Sequence, residues 1–291
     1  MKTIACLIKS YFHLVVLALL LISTAKLHGQ ETSVALLPTG ERLFKSLYLD
    51  PNESQAYGAI NAYWEDGAFR NQTYMPLGFG FYKGIVRWTK KRSVEFGFDA
   101  SAQAQFEWNP DNPISTRNIL STEYKISALL SIKLTDIRSM RIRFYHVSSH
   151  LGDDYMIQNQ INGYFPNPNN YEQLDLTWYF DHLLLDYYAG IGAVVRPETI
   201  RKRLCFQAGS YYDTPLSNGK LPLGFIAGMD MKILQEDNYH PRLKTALGLR
   251  MGQPNDAQVR LGIEFYRGNL PYSPYEFKRV QWLGLGLYFS P

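Results

Sequence analysis

The chain has 291 residues and a formal charge of +4, to which residues 1–30 contribute three lysines and no acid, so the remainder carries +1. That near-neutral balance removes the main support for a nucleic-acid partner. Beyond residue 30 there is no apolar run of about 18 residues, which excludes helical membrane spans, and Cys205 is the one cysteine left, which excludes an intramolecular disulfide.

Residues 1–30 read as an export signal. Lys2 and Lys9 precede the apolar run His13 to Ile22, which is too short to span a bilayer, and small or polar residues follow to Gln30. Residues 31–55, with Leu36-Leu37-Pro38 and Leu49-Asp50-Pro51, show no long alternation and read as a periplasmic N-terminal lead-in. From residue 56 onward the pattern changes to period two. Phe96, Phe98, Ala100, Ala102, Ala104 and Phe106 alternate with Glu95, Gly97, Asp99, Ser101, Gln103 and Gln105. The same rhythm recurs at Leu223 to Ile233, Leu243 to Met251, Val259 to Phe265 and Leu283 to Phe289. Successive strand residues point to opposite faces, so each run offers one apolar and one polar face.

Runs of about 9–13 residues match tilted strands that cross a bilayer, whereas soluble sandwich strands are usually nearer 5–6. About 12 such runs are counted, at roughly 56–66, 76–89, 92–107, 117–134, 137–148, 171–181, 184–196, 203–213, 220–233, 242–252, 256–267 and 278–290. The predicted fold is all-β: a transmembrane antiparallel β-barrel of outer-membrane type over residues 56–291, in the outer membrane of a Gram-negative bacterium. An even count puts both termini on the periplasmic side. Short turns such as Asp136 and long connections such as Ser149 to Asn170 then fall on opposite sides, with the turn after 213 long for its side. Arg141 and Arg143 point into the lumen and are expected to pair there with Glu95 and Asp99.

One strand breaks the lipid-facing rule. Met140, Ile142 and Phe144 share a face with His146 and Ser148, and parity puts Glu172 of the next strand on that face near the same rim. Ionisable groups facing a membrane are costly and usually functional. Serine, imidazole and carboxylate are the nucleophile, base and orienter that activate a hydroxyl. His150 continues the face and is an alternative base, although its position suggests the loop. Asp153 and Asp154, with loop carbonyls, are a candidate Ca²⁺ site, the alternative being a solvated acidic loop.

The segment Phe144-Tyr145-His146-Val147-Ser148-Ser149-His150-Leu151-Gly152-Asp153-Asp154-Tyr155, with Ser273-Pro274-Tyr275 and the ending Trp282-Leu283-Gly284-Leu285-Gly286-Leu287, resembles the bacterial envelope family known as domain of unknown function 1207. His146-Val147-Ser148 is similar to the His-x-Ser of outer-membrane phospholipase A and lipid A deacylase barrels, though Ser149-His150 stands where those often carry Asn-Gly. That likeness implies a serine-dependent lipid acyl hydrolase acting on membrane phospholipid or lipid A, as monomer or homodimer, with Ser148, His146 and Glu172 as the catalytic set. The alternative is a non-catalytic outer-membrane barrel, either a narrow pore or an envelope scaffold.

Overall fold

In the computed structural model the described residues are 33–38, 41–111, 117–161, 170–196, 201–217, 219, 222–253, 257–272 and 277–290. The expected signal segment and Ser273-Pro274-Tyr275 lie outside them. Residues 34–291 make one unit. Twelve long strands are built from it: β1 (Ala56–Glu65), β2 (Ala68–Thr89), β3 (Ser93–Trp108), β4 (Arg117–Thr135), β5 (Arg138–Leu151), β6 (Tyr171–Phe180), β7 (Leu185–Val194), β8 (Leu204–Ser217), β9 (Leu223–Leu234), β10 (Pro241–Met251), β11 (Gln258–Asn269) and β12 (Arg279–Ser290). Each pairs antiparallel with its sequence neighbours, and β12 pairs with β1, which closes an up-and-down barrel. Closure leaves the wall without a free edge strand, and the part of β2 that runs past its pairing with β1 is flanked by the short strand Ser33–Leu36 of the lead-in.

The period-two pattern maps onto the two faces. Leu247 and Ile263 are half exposed on the outside, whereas Asp99, Arg250 and Glu264 are at most 2% exposed inside. Three strands run longer than the alternation indicates. Asp66 and Gly67, at φ +49° and +84°, form a two-residue hairpin that starts β2 at Ala68. Strand β8 continues to Ser217, which shortens the turn expected to be long, and β5 continues to Leu151.

The lead-in departs further from expectation. Its second half lies in the lumen: Leu47, Leu49 and Asp50 are fully buried, and Phe44, Leu47, Tyr48 and Leu49 pack against lumen-facing Tyr57, Tyr179, Tyr188, Tyr211, Ile226 and Tyr288. An Asp-Pro-Asn turn reverses this plug. The Asn52 amide donates to Asp50 Oδ1 at 2.8 Å and the Glu53 amide to Asp50 O at 3.0 Å. Gly80 of β2 lets the plug backbone approach, since a Cβ there would sit 2.6 Å from Gln55 N.

The plug also corrects the expected ion pairing. Arg141 is held by Glu53 through two contacts of 2.9 and 3.0 Å. Arg143 reaches Asp175 at 3.0 Å, Glu53 at 3.3 Å and Asp50 at 3.6 Å. Lys232 meets Asp50 at 2.6 Å. Glu95 and Asp99 are instead taken by Arg87 and Lys125. Two buried guanidinium groups need carboxylates within reach, and the plug inserts acids closer than the opposite wall offers. Burial alone would raise the Asp50 and Glu53 carboxyls; Lys232 and Arg143 at Asp50, and Arg141 and Arg143 at Glu53, outweigh it and hold both below the ordinary carboxylate range.

Candidate functional site

Strand β5 positions the site by simple alternation. Tyr145, Val147 and Ser149 are buried inside, while His146, Ser148 and His150 stand on the outer face beyond Met140, Ile142 and Phe144. Behind them, Tyr145 and Val147 pack with Tyr171 and Val194, so a dry aromatic cluster backs the wall. The register sets Glu172 of β6 directly opposite His146, and Tyr124 and Thr122 of β4 opposite Ser148 and His150.

Two hydrogen-bonded pairs result. His146 Nδ1 lies 3.2 Å from Glu172 Oε1, with side-chain exposures of 44% and 37%. Ser148 Oγ lies 3.1 Å from His150 Nε2. Among the expected residues, the structure therefore brings His146 and Glu172 together, but Ser148 takes His150 rather than His146 as its partner. His150 sits on the strand rather than in the loop, because β5 runs to Leu151. The signal for it was present in the parity of residues 146, 148 and 150.

The surroundings are apolar on the membrane side. Phe144, Ile126 and Leu174 are exposed on the same outer face, next to His146 in the register or one pair below it. Tyr124 is exposed beside Ser148, its ring centroid 6.4 Å from that of His150. Gly152 ends the strand where a Cβ would fall 1.9 Å from Ile119 O, so only glycine lets the chain turn there against β4. A short helix, α1 (Asp153–Gln158), follows, with Asp153 and Asp154 exposed in its first turn. Acids there complement the helix N-terminus. Among the described residues no group of three or more metal-ligating side chains forms, so the two aspartates stand without further acidic ligands.

Chemically, Ser148 stands between two imidazoles on one face, i−2 and i+2 along the strand. One imidazole touches its hydroxyl and the other is oriented by a carboxylate. This set can deprotonate a hydroxyl and stabilise the imidazolium that forms.

A family profile described as protein of unknown function (DUF1207) matches residues 22–290. The chain belongs to that family. Among solved structures the barrel is similar to outer membrane phospholipase A from Escherichia coli, at 9% identity and TM-score 0.53 over 85% of this chain and 95% of that one. It is likewise similar to the outer membrane phospholipase dimer with bound calcium from Salmonella typhi, at 10% identity and TM-score 0.54, with the same coverage. At such identities the likeness shows the fold: an outer-membrane β-barrel. No curated protein matches the sequence.

Proposed function

We propose that this DUF1207 barrel is a lipid acyl hydrolase whose site faces the outer leaflet, with Ser148 as nucleophile, His146 as base and Glu172 as the group that orients it. The observation that carries this reading is the convergence of Ser148, His150, His146 and Glu172, in two hydrogen-bonded pairs, on the lipid-facing side of β5 and β6. An ester-linked acyl chain of a phospholipid or of lipid A can reach that face laterally along the apolar surface of Phe144, Ile126 and Leu174. Residues 1–30 fit an export signal peptide.

In the proposed reaction Ser148 Oγ attacks the ester carbonyl carbon while its proton passes to an imidazole. The tetrahedral intermediate collapses, the C–O bond to the glycerol or sugar breaks, and the leaving oxygen takes the proton back. Water then attacks the acyl-serine with the imidazole again as base, releasing a fatty acid and restoring the hydroxyl. His150 holds Ser148 in the resting geometry. For His146 to act as base, Ser148 would have to rotate to another staggered χ1 well and turn Oγ from His150 toward His146, whose Glu172 contact is at Nδ1. The similar barrel from Salmonella typhi is described with bound calcium. Among the described residues no third acidic, histidine or cysteine side chain joins Asp153 and Asp154.

The filled lumen speaks against the pore alternative, because the plug and its ion pairs occupy the passage. A scaffold remains the rival. The deciding experiment is fatty-acid release by the purified protein from phospholipid and from lipid A in mixed micelles, with and without Ca²⁺, alongside fluorophosphonate labelling. Hydrolysis and labelling that both vanish in Ser148→Ala support the enzyme. Hydrolysis unchanged in Ser148→Ala, or absent from the wild type with both lipids, leaves the scaffold.

A further inference from the structure

At the end of the lumen where the short turns and both barrel termini lie, the space beneath the plug opens into a cavity of about 850 Å³. Cavities of about 300–1,000 Å³ are the usual size for small-ligand sites. Four wall acids are already engaged: Glu95 by Arg87 at 2.6 Å, Asp213 by Arg250 at 2.6 Å, and Asp181 and Asp186 by Lys45 at 2.8 and 3.2 Å. Against the remaining acid, Glu41, stand Arg42, Lys83, Lys133, Arg138 and Arg260, none within ion-pair distance of a carboxylate among the described residues, although Glu53 acts on Arg42, Asp213 on Arg260 and Asp181 on Lys133 from further away. The lining thus keeps a surplus of positive charge inside a low-dielectric wall, which focuses field lines into the cavity.

Two of these cations are held rather than loose. Arg260 lies over the Tyr48 ring at 4.6 Å from its centroid and donates to Ser290 Oγ at 2.9 Å. Arg42 lies over the Tyr82 ring at 4.7 Å. Burial lowers the Arg42 guanidinium from its ordinary value despite the opposing pull of Glu53 and Tyr82. A partly desolvated guanidinium fixed on an aromatic face in the lining of a cavity is suited to take a phosphate or carboxylate in paired hydrogen bonds.

We propose that this vestibule is a binding site for a small anion that carries a phosphate or a carboxylate. The site is independent of the exterior serine: it lies at the other end of the barrel and inside the wall. Calorimetric titration of the full chain in detergent micelles at low salt, with inorganic phosphate and separately with succinate, tests it. Saturable binding of either probe is expected, and the tighter one names the phosphoryl or carboxylate class. Arg260→Gln and Arg42→Gln should each weaken it by roughly tenfold. Lys91→Gln, on a turn outside the cavity, should leave it unchanged. Unaltered heat-modifiable migration shows that a variant is folded, and Lys133→Gln on the cavity wall serves if an arginine variant is not. Absence of saturable binding by both probes overturns the proposal. So does equal weakening by Lys91→Gln, or no weakening by any cavity variant.

Discussion

Replacing Glu53 by leucine should uncouple the plug from the barrel. Glu53 is 4% exposed and takes both terminal nitrogens of Arg141, at 2.9 and 3.0 Å, and one of Arg143 at 3.3 Å. Arg143 retains Asp175 at 3.0 Å and Asp50 at 3.6 Å, so it stays neutralised. Arg141 does not: among the described residues Glu53 is its one ion-pair partner, and the Phe44 ring 4.5 Å away carries no charge. Breaking a buried pair from one side costs about 3–5 kcal/mol, because the surviving charge is left desolvated. Glu53→Leu should therefore lose about that much, and Arg141→Leu less, since Glu53 keeps Arg143. The double variant should regain most of the loss, giving a coupling energy of roughly 2 kcal/mol or more. Urea unfolding in micelles, followed by gel mobility, measures the stabilities, and limited proteolysis within residues 44–55 reports undocking directly. A Glu53→Leu loss below about 1 kcal/mol, the range of exposed pairs, would refute a dry interior bridge. A double variant no better than the single one would refute the pairing itself.

Acid should loosen the same plug. Asp50 and Glu53 titrate lower in the folded protein than unfolded, so their contribution is complete above the unfolded value near pH 4, declines below it, and is lost as pH falls through the folded values. Proteolysis within residues 44–55 by an acid-active protease should stay flat from neutrality to about pH 5 and rise below pH 4; a rise that begins near pH 6 would contradict this. Gly80→Leu places a side chain where the Cβ alone meets Gln55 N at 2.6 Å, and should cost about 1–3 kcal/mol and expose the plug to protease without opening the wall. At the exterior site, Ser148→Ala should abolish lipid hydrolysis, and His146→Ala should reduce kcat by about 10²–10⁴-fold. Glu172→Ala should reduce it less, with barrel mobility unchanged in all three. If His150→Ala proves as damaging as His146→Ala, the resting partner of Ser148 is itself the base.

The wall was legible because a strand writes its burial into every second residue. Parity alone placed Asp99, Arg250 and Glu264 inside and Leu247 and Ile263 outside, and twelve runs gave twelve strands. The facing of Glu172 and His146 was legible for the same reason, since depth and parity together define a cross-strand pair. The plug was not. Residues 31–55 carry no periodicity, and the contact that fixes them, Glu53 to Arg141, spans 88 positions that no local pattern connects. The Ser148–His150 contact was missed at a boundary. Ser149-His150-Leu151 runs straight into Gly152 and two aspartates, and the residues preceding a turn read as loop unless strand pairing with Ser121 and Thr122 is known.

Strand β5 joins the two halves of the molecule's chemistry because its faces are separated by a single peptide unit. Arg141 and Arg143 inside alternate with Ile142, Phe144, His146 and Ser148 outside. Arg143 also binds Asp175 of β6, three residues from Glu172, so the interior ion pair crosses the same seam that the His146–Glu172 contact crosses on the exterior. Exposed pairs such as His146–Glu172 hold little geometry by themselves, because both side chains keep rotamer freedom and water competes for them. The buried bridge supplies what the exposed one lacks: it fixes the two strands in register from behind. An exterior site built on a two-strand seam needs that rigidity, since displacements of about 1 Å at reacting groups can cost 10²-fold in rate. On this argument the Arg143–Asp175 bridge is part of the support of the site, although it lies on the inner face. If so, Asp175→Leu should lower kcat for lipid hydrolysis while leaving the covalent reactivity of Ser148 in place. A folded Asp175→Leu protein that hydrolyses lipid at the wild-type rate would show that the wall needs no such brace.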